Sequence, residues 1–293
     1  MNTRQAIRAM TLAFLLGSLC GCAAPSAPAP ATTTYAPPPI ASATAYAAPP
    51  TATLTASPPS CAAQAGQTLQ DVVSETVPPQ EFIIYLPPCY AESAETYPAL
   101  YLLHGQTFNQ DQWIRLGAAS IADALIQSSE APPFIMVFPD DHYWNAPAGA
   151  EFGNRLIYNL IPYVDAHYRT RNAREFRALG GLSRGGGWTA QLGFSRPDVF
   201  GALGLHSPAF FKDNAPYLER YIRQIPVEQR PHLWMDIGEA DTLLGDSLLF
   251  EDTLTRNDYV HVFHRFSGDH SERYWSKHAE AYLRWYASHW ITQ

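Results

Sequence analysis

The segment GLSRG, residues 181–185, is the part of this sequence in which residue types and spacing best fit chemistry. Glycines lie two residues on either side of Ser183, where a Cβ would clash in a very tight turn. Residues 176–182 resemble a short apolar strand, and a helical pattern follows from Gly185. Such a turn would hold the Ser183 hydroxyl at the amino end of a helix, where unpaired N–H groups and the helix dipole favour negative charge. A serine in this setting could act as a nucleophile.

A nucleophilic serine needs a base to accept its proton, and the base needs an acid to orient it. In proteins that carry a nucleophilic serine at such a strand–turn–helix corner, the order along the chain is serine, acid, histidine. We predict that Asp241, on the loop after the next-to-last strand, is the acid; Glu239 is the alternative, and Asp236 lies within the strand. His270 lies on the loop before the last helix and is the predicted base.

The same chemistry needs N–H donors for the negative charge that develops on a carbonyl oxygen. One predicted donor is the backbone N–H of Arg184, which follows the serine, and the other is the N–H of Gln106, on the loop after the third strand. Gly105 would allow that loop to approach closely. His261 and His264 are three residues apart on a strand and point to opposite faces, which argues against a metal site. We therefore predict no metal and no organic cofactor.

The elements that must position these residues follow from apolar runs that alternate with helical patterns. Strands are predicted at residues 68–76, 80–86, 98–103, 134–138, 176–182, 202–206, 232–237 and 259–266, and helices at residues 118–128, 151–168, from 185 onward, 215–224, 243–257 and 271–290. This alternation predicts an α/β fold: a mainly parallel sheet of about eight strands with helices on both faces. The first two strands are expected to be antiparallel, and Pro162 is expected to kink or weaken its helix. In such sheets the working residues gather beyond the carboxyl ends of the strands.

The first 21 residues predict an export signal. Arg4 and Arg8 are basic, and residues 9–19 form an apolar stretch that is too short to span a bilayer permanently. The following segment, LCGC, resembles the bacterial lipobox, with Cys22 as the acylated residue. Cys20 fits less well, because Leu19 would then occupy the small-residue position, and an ordinary secretory signal is the alternative to a lipobox. Either reading predicts an extracytoplasmic protein, and the first predicts that it is attached to a bacterial membrane by a lipid alone.

Residues 22–60 are predicted to be a disordered tether, because residues 23–60 contain no charged residue and ten of the 25 prolines. The catalytic domain is predicted at residues 61–293. Cys61 and Cys89 are a reasonable disulfide in an oxidising compartment. The formal net charge of −8 and the lack of a basic stripe argue against a nucleic-acid partner. The sequence makes no prediction of oligomeric state.

Several segments together resemble the esterase D family of α/β hydrolases. They are YLLHG at residues 101–105, Trp113, NLIPYV at 159–164, GLSRGG at 181–186, Gly238 with Asp241, and GDH at 268–270 with Trp275. That family includes feruloyl and acetyl-xylan esterases, enterochelin esterases, S-formylglutathione hydrolases and the antigen 85 mycolyltransferases. Residue by residue, the resemblance implies Ser183 as nucleophile, Asp241 as acid, His270 as base, and Gln106 and Arg184 as oxyanion donors.

Two residues depart from the pattern of the family. Arg184 replaces the Met that is often found after the serine, and Asp269 replaces a second Gly that frequently precedes the histidine. Neither departure removes a catalytic group. Arg184 is expected to alter the charge of the site and its substrate preference.

The resulting functional hypothesis is a serine carboxylic-ester hydrolase that works through an acyl-enzyme. Residues 207–232 are too few for a large lid, which favours an open cleft and small acyl, feruloyl or polysaccharide-linked esters. The candidate substrate contacts are aromatic: Trp113, Tyr143, Trp144 and Trp188. Three alternatives stay open: an acyltransferase of the mycolyltransferase type, an enterochelin-type esterase, and a catalytically silent surface-binding lipoprotein.

Overall fold

A single eight-stranded sheet organises the molecule in a computed structural model that describes residues 60–141, 151–212 and 215–291. The strands are β1 (Gln67–Val73), β2 (Gln80–Leu86), β3 (Ala99–Leu103), β4 (Ile135–Pro139), β5 (Arg177–Leu182), β6 (Ala202–His206), β7 (His232–Gly238) and β8 (Val262–Phe266). Their order in the sheet is β1-β2-β4-β3-β5-β6-β7-β8. Strands β3 to β8 are mutually parallel, whereas β2 is antiparallel to both of its neighbours, β1 and β4, at one edge of the sheet. The predicted sheet and its antiparallel beginning are therefore confirmed.

Helices cover both faces of this sheet. They are α1 (Gln112–Arg115), α2 (Ala118–Gln127), α3 (Phe152–Arg155), α4 (Ile161–His167), α5 (Arg184–Ser195), α6 (Ala215–Gln224), α7 (Leu244–Arg256) and α8 (Glu272–Ser288). Helices α3 to α7 pack on one face and α1, α2 and α8 on the other, so each face buries its own apolar core. Among the described residues, no helix combines the length and apolar character needed to cross a bilayer.

The helix predicted at residues 151–168 is interrupted where Pro162 was expected to weaken it. A π-helical turn, Leu156–Leu160, joins α3 to α4, and Pro162 lies in the first turn of α4. Proline has no N–H to donate to the preceding turn, and the wider π turn accommodates that missing bond.

Two strands are shorter than predicted because side chains close turns at their ends. Strand β1 ends at Val73, since the Thr76 hydroxyl donates to the Val73 carbonyl at 3.2 Å and to the Pro78 carbonyl at 2.8 Å. Strand β8 begins only at Val262, because Tyr259 turns inward and donates its hydroxyl to the Pro231 carbonyl at 2.8 Å.

The antiparallel edge of the sheet is tied to the start of the described chain. Cys61, in the 3-10 turn Ser60–Ala63 before β1, forms a disulfide with Cys89, which follows β2. The structure therefore contains the disulfide that the sequence predicted. The predicted signal peptide and most of the predicted tether, including Cys22, lie outside the described residues.

The carboxyl ends of the parallel strands meet at one edge of the sheet. Five of them run directly into polar segments: β3 into His104, β4 into Asp140 and Asp141, β5 into Ser183, β7 into the loop of Asp241, and β8 into the loop of His270. This edge therefore collects the residues that the sequence singled out, although they are far apart along the chain.

Candidate active site

Ser183 occupies a strained turn between β5 and α5. Its backbone has φ 53° and ψ −118°, a conformation that residues other than glycine rarely adopt. The turn is so tight that a Cβ on Gly181 would lie 2.4 Å from the carbonyl carbon of Gly185. The Ser183 N–H donates to the His206 carbonyl at 2.9 Å, and its carbonyl accepts the Ala209 N–H at 2.8 Å. Bonds from the β6 segment on both sides therefore hold the strained residue in place.

A chain of hydrogen bonds joins Ser183 to His270 and Asp241. The His270 Nε2 atom is 2.9 Å from the Ser183 Oγ atom, and the His270 Nδ1 atom is 2.8 Å from the Asp241 Oδ2 atom. Asp241 is buried, and its other carboxylate oxygen accepts the Leu243 N–H at 2.8 Å. With Nδ1–H donated to the carboxylate, Nε2 is free to accept the serine proton. Glu239, the alternative acid, is exposed on the same loop.

The loop after β3 passes directly beside Ser183. A Cβ on Gly105 would lie 3.6 Å from the Ser183 Cβ and 3.0 Å from Leu182 Cδ1, so the backbone is in contact with the turn. Within the residues that the structure describes, the N–H groups of Gln106 and Arg184 have no hydrogen-bond acceptor. Two unpaired N–H groups on the segments that flank the serine are what an oxyanion hole requires.

The sequence predicted that Arg184 would alter the charge of the site, and in the structure its side chain is paired with the carboxylate of Asp141. Its Nε–H donates to Asp141 Oδ2 at 2.8 Å, and Trp188 Nε1–H donates to the same oxygen at 2.9 Å. Burial raises the pKa of the Asp141 carboxyl, although Arg184 and Trp188 act in the opposite direction. Sequence reasoning gave Asp141 no role; its position at the carboxyl end of a buried strand was the signal that could have identified it.

The aromatic substrate contacts predicted from the sequence fare differently. The prediction that Trp113 contacts substrate is wrong. Its side chain is 1% exposed, donates its Nε1–H to the Leu103 carbonyl at 3.0 Å and packs in the core. Trp188 is 5% exposed and donates its Nε1–H to Asp141. It therefore packs beneath the site and stabilises it. Tyr143 and Trp144 lie outside the described residues.

A second buried carboxylate lies beneath the site and was also missed. Asp236, within β7, accepts four hydrogen bonds at 2.7–2.9 Å: His206 Nδ1 and Trp234 Nε1 bind one oxygen, and the hydroxyls of Tyr274 and Tyr282 bind the other. Burial acts to raise the pKa of Asp236, but hydrogen bonds from His206 and the tyrosines outweigh it, so the pKa lies below its usual value. Because Tyr274 and Tyr282 belong to α8, this network attaches the helix after His270 to the sheet.

No metal centre accompanies these residues in the described part of the chain, where no cluster of three or more His, Cys, Asp or Glu side chains could hold an ion. Asp241 and Asp236 are each engaged by one histidine and by further N–H or O–H donors. The arrangement can therefore deliver a serine hydroxyl to a base next to two N–H donors, which is the equipment for acyl transfer.

The fold and this arrangement define the α/β-hydrolase class. The sequence model of the family described as "Putative esterase" matches residues 78–288, and the chain belongs to this family of carboxylic ester hydrolases. The resemblance noted in the sequence is therefore confirmed.

Similar proteins carry related names. An endo-1,4-beta-xylanase/feruloyl esterase of Xylanibacter ruminicola is 36% identical over 136 residues, which is 42% of this chain and 19% of the relative, so the chain matches about a fifth of that protein. A solved ferulic acid esterase superimposes with a TM-score of 0.69 at 23% identity, covering 77% of this chain and 99% of the other. An S-formylglutathione hydrolase of Staphylococcus aureus has a TM-score of 0.66 at 20% identity, covering 76% and 98%. These two structures support the fold.

Substitution of Asp236 tests the buried network. We expect Asp236→Asn to lower the free energy of unfolding at pH 7 by about 3–5 kcal/mol, because it removes the charge that four buried donors surround. The pKa of Asp236 is lowered by folding, so its contribution is complete above the unfolded-state value of about 3.9 and is lost as the pH falls toward the folded-state pKa. Urea unfolding at several pH values should therefore show the difference between wild type and variant shrinking below about pH 4.

The control for this measurement is Asp198→Asn, which removes a surface partner of Arg196 and should change stability by less than about 1 kcal/mol. A variant at Asp236 that unfolds like wild type at pH 7 would contradict the role assigned to the network.

Proposed function

We propose that this protein is a serine carboxylic-ester hydrolase in which Ser183 is the nucleophile, His270 the general base and Asp241 the orienting acid. The observation that carries the proposal is the unbroken hydrogen-bond chain from Asp241 through His270 to Ser183, at 2.8 and 2.9 Å. It ends on a serine in a strained turn, which is the setting that exposes a nucleophilic hydroxyl at the rim of an α/β sheet.

In the proposed reaction His270 Nε2 takes the Ser183 proton as the Oγ atom attacks the ester carbonyl carbon. Asp241 stabilises the imidazolium that forms, and the N–H groups of Gln106 and Arg184 bind the oxyanion. Collapse of the tetrahedral intermediate breaks the bond to the alcohol, which leaves with the proton from His270. Water, activated by the same imidazole, then hydrolyses the acyl-enzyme. Each oxyanion donor would contribute on the order of 10²–10³ in rate.

Small acyl and hydroxycinnamoyl esters, including polysaccharide-linked ones, are the substrates we propose. The name of the Xylanibacter relative, a xylanase/feruloyl esterase, supports this class.

The two enzymatic alternatives differ in the acceptor or the alcohol. An acyltransferase of the mycolyltransferase type would pass the acyl group to a sugar hydroxyl, and an enterochelin-type esterase would cleave a ferric siderophore. The hydrolase is favoured because both hydrolytic names, feruloyl esterase and S-formylglutathione hydrolase, recur among the similar proteins. A catalytically silent lipoprotein is disfavoured, since such a protein has no need of the Ser183–His270–Asp241 chain.

We also propose that the mature protein is extracytoplasmic and anchored by a lipid on Cys22. The basic residues Arg4 and Arg8, the short apolar stretch and the LCGC segment support this proposal. The uncharged, proline-rich residues 23–60 would then hold the enzyme away from the bilayer.

Removal of the Ser183 hydroxyl tests the proposal directly. Wild-type protein should hydrolyse esters from a panel of p-nitrophenyl and methyl hydroxycinnamate esters, and Ser183→Ala should lower kcat/KM by about 10⁴-fold or more, because no nucleophile remains. Ser195→Ala, at the other end of α5, is the matched control and should behave like wild type. Ester hydrolysis that survives in Ser183→Ala would refute the assignment.

The identity of the acid is tested by a pair of amide substitutions on one loop. Asp241→Asn should lower kcat by about 10³–10⁴-fold, because the imidazole loses the partner that fixes its tautomer. Glu239→Gln should keep kcat within about twofold, since its side chain is exposed. The opposite pattern would make Glu239 the acid.

The lipid anchor is tested in cells with a fatty-acid analogue that can be detected after gel electrophoresis. Wild-type protein and Cys20→Ser should be labelled and recovered with membranes, whereas Cys22→Ser should be unlabelled and soluble. Label that is retained by Cys22→Ser and lost by Cys20→Ser would move the anchor to Cys20.

A further inference from the structure

The geometry points to Asp141 as a positioning residue that holds both N–H groups of the oxyanion hole in place. This inference rests on the proposed function, because it concerns the donors Gln106 and Arg184. Asp141 makes no hydrogen bond to Ser183 or His270 within the described residues, so it does not take part in proton transfer. Its contacts instead run in two directions, one to each segment that carries a donor.

The first connection runs from the Asp141 carboxylate to the start of α5. Its Oδ2 atom accepts Arg184 Nε–H at 2.8 Å and Trp188 Nε1–H at 2.9 Å. Arg184 and Trp188 are four residues apart and therefore lie on the same face of the helix. One oxygen thus attaches the first two turns of α5 to the end of β4. This attachment fixes the place of the helix start, where the Arg184 N–H is unpaired.

The second connection runs from the Asp141 backbone to the loop after β3. The Asp141 N–H donates to His104 Nε2 at 2.7 Å, and His104 Nδ1 lies 2.7 Å from the Gly105 carbonyl oxygen. An imidazole that accepts at Nε2 carries its proton on Nδ1. In this tautomer His104 accepts the Asp141 N–H at Nε2 and donates its Nδ1–H to the Gly105 carbonyl.

The bond to Gly105 sets the direction of the Gln106 N–H. The Gly105 carbonyl and the Gln106 N–H belong to one peptide unit, and in a planar trans peptide the two groups point in opposite directions. His104 and the Phe108 N–H, which donates to the same carbonyl at 3.2 Å, hold the carbonyl on one side and so direct the Gln106 N–H to the other. The Gly105 N–H is held as well, by Gln112 Oε1 at 2.8 Å. The loop is therefore oriented from two sides while the Gln106 N–H stays unpaired.

Burial makes these contacts effective. Asp141 is 4% exposed, Trp188 is 5% exposed, and the Arg184 side chain is 15% exposed. Hydrogen bonds that are shielded from water are stronger and better aligned than exposed ones, and a buried acceptor that loses its donors is costly. Asp141 thereby couples the two segments, and a shift of either N–H away from the developing oxyanion would lower the rate.

The test compares an ester with its thionoester, in which sulfur replaces the carbonyl oxygen. Sulfur accepts hydrogen bonds weakly, so the thionoester gains little from an oxyanion hole, and kcat/KM reports transition-state stabilisation for each substrate. For Asp141→Ala we expect kcat/KM for the ester to fall about 10- to 100-fold, while the thionoester changes by less than about threefold. The ester/thionoester ratio should therefore fall by about 3-fold to 100-fold. Asp141→Asn keeps an acceptor oxygen and should recover most of the ratio.

Asp165→Ala is the matched control. Asp165 is another carboxylate paired with an arginine, Arg177 Nη2 at 2.6 Å. It belongs to α4, and its partner is the first residue of β5, at the amino ends of the parallel strands and away from the serine. Its removal should destabilise the fold without changing the substrate ratio. His104→Leu breaks the second connection alone and should also lower the ratio, so it decides the question if Asp141→Ala does not fold.

An unchanged ester/thionoester ratio in Asp141→Ala would overturn the positioning role, and so would an equal loss of kcat/KM on both substrates. If Asp141→Ala does not fold, the same two outcomes in His104→Leu would overturn it. Failure of the proposed function is a separate result. It would be seen as ester hydrolysis that persists in Ser183→Ala, or as a wild-type protein without esterase activity. Wild-type activity that depends on Ser183, together with an unchanged ratio, would remove only the role of Asp141.

Discussion

The strained turn at Ser183 is the constraint on which the rest of the site depends. A residue with a side chain at φ 53° persists only where its surroundings hold it, and here the β6 segment binds its N–H through His206 and its carbonyl through Ala209. The turn needs glycine on both sides and a parallel sheet beneath it. In return it places a hydroxyl at the edge where the loops after the neighbouring strands converge. The positions of His270 and of the Gly105 loop matter for the proposed reaction only because they are close to that hydroxyl.

Two buried carboxylates support this edge, and each is stabilised by several donors. Asp236 lies deeper and joins β6, β7 and α8, whereas Asp141 lies nearer the rim and joins β4 to the start of α5. A buried charge without partners would be very costly, so both networks depend on every donor being correctly placed. The same requirement makes them rigid. The proposed catalytic groups are therefore held by polar contacts as well as by the two apolar cores.

The features of this protein that could be predicted from the sequence are those whose signals lie close together along the chain. The turn around Ser183 is a local signal, because its glycines and the flanking strand and helix lie within about 15 residues, and the strand pattern around it was equally readable. Trp113 was misjudged because its position near a loop says nothing about where its ring points, and the ring lies in the core. The role of Asp141 was missed because its partners are 37 to 47 residues away. The paired state of Arg184 was missed for the same reason.

The sequence by itself determined the kind of fold, the order of its strands along the chain, the family, and the residues from which a serine site could be built. These features are encoded by periodicity and by short motifs, which act over one or two elements. Only the tertiary structure decided which acid meets His270, that the Arg184 charge is neutralised, and that Asp236 has four donors. Those outcomes depend on distances between side chains from separate strands, and packing of the whole sheet and its helices sets those distances.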